Sequence, residues 1–180
     1  MHRHPLLQQL AAYHAGEPAE RALSKRLANF VESHSDCFDR ALMTGHITAS
    51  AWLVNQAGTH VLLTHHRKLD KWLQLGGHVD GHPDVLAAAL REAYEESGLP
   101  HIEPVSAAIF DIDIHLIPER KGEPAHYHYD VRFALRATGS EDYVVSAESH
   151  DLAWVEIAKL DQFTAEESML RMAAKWRAAF

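Results

Sequence analysis

Thiols are scarce in this chain of 180 residues: Cys37 is the one cysteine. No intrachain disulfide can form, which fits a reducing, cytoplasmic compartment. Long apolar runs are missing as well. Nothing approaches the roughly 18 consecutive apolar residues that a membrane-spanning helix needs. The start, Met1-His2-Arg3-His4-Pro5, leads into a stretch broken by polar residues, unlike the apolar centre of a secretory signal. Positive charge is in deficit, with a formal net charge of −8. That argues against a nucleic-acid polymer as the main partner. An acidic chain can still take a phosphorylated small molecule where a bound cation inverts the local field. There is no internal repeat and no low-complexity linker. The hydrophobic share, 47%, suffices for one domain with a core, and a homodimer is compatible with the chain. Histidine, by contrast, is abundant, at 15 residues.

Periodicity divides the chain into a helical extension over residues 1–43 and a main domain over 44–180. Leu6, Leu7, Leu10 and Tyr13 have helical spacing, Pro18 suits a first helical position, and Leu23, Leu27, Phe30 and Val31 continue an apolar stripe. From His46 the pattern changes. Strands are expected over Ile47–Val54, Val61–Thr64, Trp72–Leu75, Val105–Leu116, Tyr127–Arg136 and Ala153–Ile157. A helix is expected from Pro83 to Ser97, with Asp84 favourable against its dipole and Gly98 as a left-handed stop. A last helix follows from about Ala165. Strands flanking a central helix, with helices outside, point to a single three-layer α/β/α domain.

The densest chemistry lies in the central helix. Glu92, Glu95 and Glu96 stand at i, i+3 and i+4, so they share one face with Cβ atoms of near neighbours roughly 5–6 Å apart. Like charges this close repel, and a hard divalent cation shared with substrate phosphate offsets the cost. Arg67 and Lys68, after the second strand, could hold phosphates as a fork and a point charge.

This stretch resembles the Nudix box: Gly, five residues, Glu, seven residues, Arg-Glu-apolar-x-Glu-Glu-x-Gly-apolar. Gly77, Arg91, Glu92, Ala93, Glu95, Glu96, Gly98 and Leu99 match it, and Pro83 replaces the first Glu. In the family that Glu mainly braces the box through the Arg, so Arg91 is expected to pair with Asp80 or Asp84 instead. The resemblance implies a Nudix-type α/β/α sandwich with a mixed β-sheet and a pyrophosphohydrolase acting on a nucleoside diphosphate derivative or related phosphorylated metabolite. It implies Mg²⁺ or Mn²⁺ on Glu92, Glu95 and Glu96, with Glu92 able to act as base instead. Glu148, ahead of the last strand, is a further candidate base by the same resemblance.

The histidines carry a second resemblance, to isopentenyl-diphosphate isomerase, a Nudix-fold enzyme with a His/Glu-bound transition metal. Its strand beginning with a ligand His is similar to His46–Asn55, its Gly-His to Gly77-His78, and its Glu-x-Glu to His126-Tyr127-His128. This implies that His46, His78, His126 and His128 converge on a Zn, Ni or Fe ion, a choice that imidazole clusters suit. Asp130 extends the face of the histidine pair. Binding is then expected to weaken as pH falls through roughly 6.5, the reference value for histidine. The isomerase's catalytic cysteine corresponds to Gly76, so proton transfer to a double bond lacks its thiol. An isomerase-like metal enzyme and a non-catalytic ligand-binding Nudix domain are the alternatives to the hydrolase.

Overall fold

The computed structural model describes residues 2–67, 69–120, 122–147 and 149–179. Its backbone is the strand β1 (Gly45–Val54), buried along its full length. β1 pairs in parallel with β7 (His126–Ala137), in unbroken register from Gly45↔Tyr127 to Val54↔Arg136. All other pairings in the sheet are antiparallel. β2 (His60–His66) joins β1, and β3 (Lys71–Leu73) and β8 (Ser149–Glu156) join β2. β4 (Leu75–His78) lies on β1, while β5 (Ile102–Pro104) and β6 (Asp111–Ile117) lie on β7. The sheet is therefore mixed, as the resemblance to the Nudix family implied.

Period-two alternation sends Ile47, Ala49, Ala51 and Leu53 to one face of β1 and Trp52 and Val54 to the other. The first face packs against α1 (His4–Ala12), α2 (Pro18–Ser33) and α3 (Val85–Ser97) through Leu6, Leu10, Leu27, Phe30, Ala89 and Ala93. The second packs against a 3-10 segment (Ile157–Gln162) and α4 (Glu167–Ala179) through Leu160, Met169, Met172 and Trp176. This is the expected α/β/α sandwich. Trp52 is fully buried in the second layer and serves the core. Among the described residues no helix is long and apolar enough to cross a membrane.

Two expectations change. The segment expected as one strand over Val105–Leu116 is broken. The Val105 and Phe110 amides still donate to β7, but the residues between leave the sheet in a turn closed by Ala108 N donating to Ser106 Oγ. A Ser-Ala-Ala stretch has little β preference to resist that local bond. Pro83 falls just outside α3. Asp84 is the N-cap, its side chain accepting from Ala87 N at 3.0 Å, which satisfies an otherwise orphaned helix amide. Gly98 ends the helix at φ 65, as expected.

Candidate active site

The box carboxylates sit where α3 crosses β4. The Gly76 amide donates to Glu96 Oε1 at 2.7 Å. At Gly77 a Cβ would lie 2.6 Å from Glu92 Oε2, so a side chain there would displace the carboxylate. The bare Gly77 thus lets Glu92 press onto the strand, while at Gly76 a Cβ would meet Ser50 and the Ala49 carbonyl of β1, and the backbone amide is what holds Glu96. Glu96 is buried, Glu92 half-buried and Glu95 exposed, a gradient running from the sheet to solvent on one face of the helix.

Arg91 does not pair with Asp80 or Asp84. Asp80 is taken by Arg40, whose Nε donates to it at 2.8 Å, and Asp84 caps the helix. Arg91 Nη2 instead donates to Glu92 Oε1 at 2.7 Å and to the His78 carbonyl at 2.6 Å. The arginine thereby fixes Glu92 to the strand without the glutamate that Pro83 replaces. Arg91→Gln should therefore lower kcat by about 10- to 100-fold, the range for losing a group that orients a metal-binding carboxylate. Steady-state kinetics beside a thermal melt would check this, and an unchanged kcat would contradict the bracing role.

The four sequence-predicted histidines lie together. His46 pairs in register with His128, and His78 is brought in by β4, opposite Thr48. Ring centroids of His46 lie 4.9 Å from His78, 5.1 Å from His126 and 4.9 Å from His128. One nitrogen each of His46, His78 and His128 lie within 4.8 Å of one another. His126 flanks this triangle, its Nδ1 2.9 Å from the Pro124 carbonyl. His46 is 3% exposed, and neither of its ring nitrogens has a hydrogen-bond partner. A buried polar group without a partner is costly, and a cation is the partner that several converging imidazoles share.

Burial, reinforced by the neighbouring histidines, lowers His46 to about 4 and also lowers His78 and His128. The expected protonation window near 6.5 is thus moved down for these groups. His46 binds its proton less tightly in the folded than in the unfolded chain, so its stabilisation is present above roughly 6.5 and is lost as pH falls toward about 4. For chelator-treated protein, going from pH 7 to 4.5 should cost on the order of 2–3 kcal/mol more than in a His46→Gln variant. Equal losses in urea titrations of the two proteins would contradict this.

The sheet face around the histidines holds a polar grid that sequence reasoning did not find. Register aligns His46, His128 and His115 in one row, Thr48, Asp130 and Asp113 in the next, and Ser50, Arg132 and Asp111 in the third. Asp130 accepts from Thr48 at 2.9 Å, Ser50 at 2.8 Å and Arg132 Nε at 2.7 Å. Arg132 also meets Asp111 and Asp113, and Arg171 and Lys175 of α4 bond Asp111. Lys175 continues to Glu20 and Tyr13, tying α4 to the N-terminal helices. The signal was present as Asp-x-Asp and Asp-x-Arg at period two, but it becomes a network only once the register of β6, β7 and β1 is known.

Arg67 is exposed at the end of β2 and donates to the Ser149 carbonyl at 3.0 Å. Lys68 and Glu148 lie outside the described residues. Trp72 stacks on His65 at 5.1 Å. Cys37 is buried, and burial pushes its thiol up to about 11, so it supplies no reactive thiolate.

The chain matches the NUDIX domain over residues 44–176. No curated protein matches it. Among solved structures, a C. elegans Ap4A hydrolase binary complex superposes with a TM-score of 0.60 at 20% identity, covering 74% of this chain and 96% of that one. The E. coli dihydroneopterin triphosphate pyrophosphohydrolase gives 0.60 at 16% identity over 74% and 96%. The NUDIX domain of Shewanella oneidensis NrtR, complexed with ADP ribose, gives 0.51 at 18% identity over 84% and 97%. This chain belongs to the NUDIX domain family, and with its box glutamates in place it is a Nudix hydrolase.

Proposed function

We propose that this protein is a divalent-metal-dependent pyrophosphohydrolase of the cytoplasm that cleaves a phosphoanhydride in a nucleoside diphosphate derivative or related phosphorylated metabolite. The observation that carries the reading is the seating of Glu92 and Glu96 on Gly77 and Gly76, with Glu95 beside them. Three carboxylates on one helix face are hard oxygen donors of the kind Mg²⁺ or Mn²⁺ takes. A bound ion supplies charge neutralisation at the phosphate and a water of lowered pKa. The chain's own part is to aim the oxygens. The Gly76 amide holds one oxygen of Glu96, and Arg91 holds Glu92 against the His78 carbonyl. Arg67, at the end of β2, and Lys68, next to it in sequence, are assigned to phosphate, and Glu148, the residue before Ser149 in sequence, is the candidate base. Likeness to a dihydroneopterin triphosphate pyrophosphohydrolase, an Ap4A hydrolase and an ADP-ribose-bound domain supports phosphorylated small molecules as the ligand class.

The histidine group is proposed to hold a transition ion such as Zn²⁺, Ni²⁺ or Fe²⁺, separate from the box. The partnerless, buried His46 carries that reading. An isomerase would need a thiol where Gly76 stands, so the hydrolase is preferred. A screen of phosphate-containing metabolites with Mg²⁺ and Mn²⁺, scored for released phosphate or pyrophosphate, tests the function. Turnover of at least one diphosphate compound is expected. Binding of such compounds without turnover would instead make this a ligand-binding domain.

A further inference from the structure

We infer that the histidine centre is an open, three-ligand site whose remaining position takes an anionic oxygen of a phosphorylated ligand. This rests on the reading of the cluster as a metal site and goes beyond it, because a closed four-ligand site would be structural. Five imidazoles are near, but they are not equivalent. His46, His78 and His128 alone form the group with mutually close nitrogens; no carboxylate or thiolate joins it among the described residues. By ring centroid His126 lies 5.1 Å from His46 and 5.2 Å from His128, yet none of its nitrogens joins that group. His115, on β6 and paired in register with His128 at 5.4 Å, has its Nδ1 3.3 Å from Asp113. Both flank the centre.

Burial is graded in the same sense. His46 is closed off at the base, while His78 and His128 are half-buried, so the centre opens on one side. That opening lies at the end of β4, the strand that also carries the glycines against the box. Gly76, Gly77 and His78 are consecutive residues of β4, the first two against Glu96 and Glu92 and the third in the histidine group. Arg91 ties the His78 carbonyl to Glu92. Alternation along β4 turns Gly77, opposite Ala49, toward Glu92 and His78, opposite Thr48, toward the histidines on the other face, so the two centres share a strand but not a face.

The test is equilibrium binding of Co²⁺ to full-length untagged protein, in the wild type and the His46→Ala, His126→Ala and His115→Ala variants. The readout is the visible absorption of the imidazole-bound ion, which carboxylate-and-water Co²⁺ at the box barely contributes. One intensely absorbing Co²⁺ per chain is expected. Affinity should fall at least 100-fold in His46→Ala and change less than about threefold in the other two. Inorganic pyrophosphate should shift the band, as an added ligand entering the open position must. No absorbing Co²⁺ in the wild type would defeat the metal reading itself. Binding that is lost with His126 or His115, or a band indifferent to pyrophosphate, would leave the metal site standing and overturn its openness.

Discussion

Replacing Glu92 by Gln is expected to reduce kcat by roughly 100- to 1,000-fold, the scale seen when one group that stabilises transition-state charge is removed. The side chain keeps its shape and an oxygen to accept from Arg91, so the seat against Gly77 is preserved. What disappears is one of three negative charges that would hold a divalent ion. The melting temperature should move by no more than a few degrees, and relief of carboxylate crowding could raise it slightly. Full activity in this variant would remove Glu92 from the machinery.

The second large effect is structural. Arg132 is fully buried and bonded to Asp130, with Asp111 and Asp113 also in reach. Burial opposes its charge, but the three aspartates more than restore it. Arg132→Met would leave Asp130 buried with only hydroxyl donors and the distant Gln74 amide. Breaking a buried pair from one side costs about 3–5 kcal/mol. Arg171 and Lys175 continue to neutralise Asp111, which places this variant at the lower end of that range. Urea denaturation would measure the loss, and replacing Asp130 by Asn in the same chain should recover part of it. A loss below 1 kcal/mol would mean that the grid contributes little.

The features legible in the sequence were those set by local spacing. The i, i+3, i+4 glutamates needed only a helix to share a face, and Gly98 marked where it stops. His126 and His128 needed only a strand, and their meeting with His46 follows from both lying near the starts of paired strands. Tertiary competition hid the rest. Asp80 stood close enough in sequence to pair with Arg91, but Arg40, brought in from the loop after α2, claims it. The break at residues 105–110 and the Asp-Arg grid depend on which strand lies beside β7, and no single strand's pattern states its neighbour. The N-terminal helices looked like an addition by period alone, yet Leu6, Leu27 and Val31 enter the same core as β1.

The central claim is hydrolysis that depends on divalent ions held by the box, and the most direct measurement is restoration of activity. Protein stripped with chelator is titrated with Mg²⁺ while phosphoanhydride cleavage is followed, for the wild type and for Glu96→Gln, which retains an oxygen for the Gly76 amide. The account predicts no turnover without the ion, saturable recovery in the wild type, and recovery in the variant that is absent or needs far more Mg²⁺. Cleavage by stripped protein, or identical titrations for the two, would contradict it.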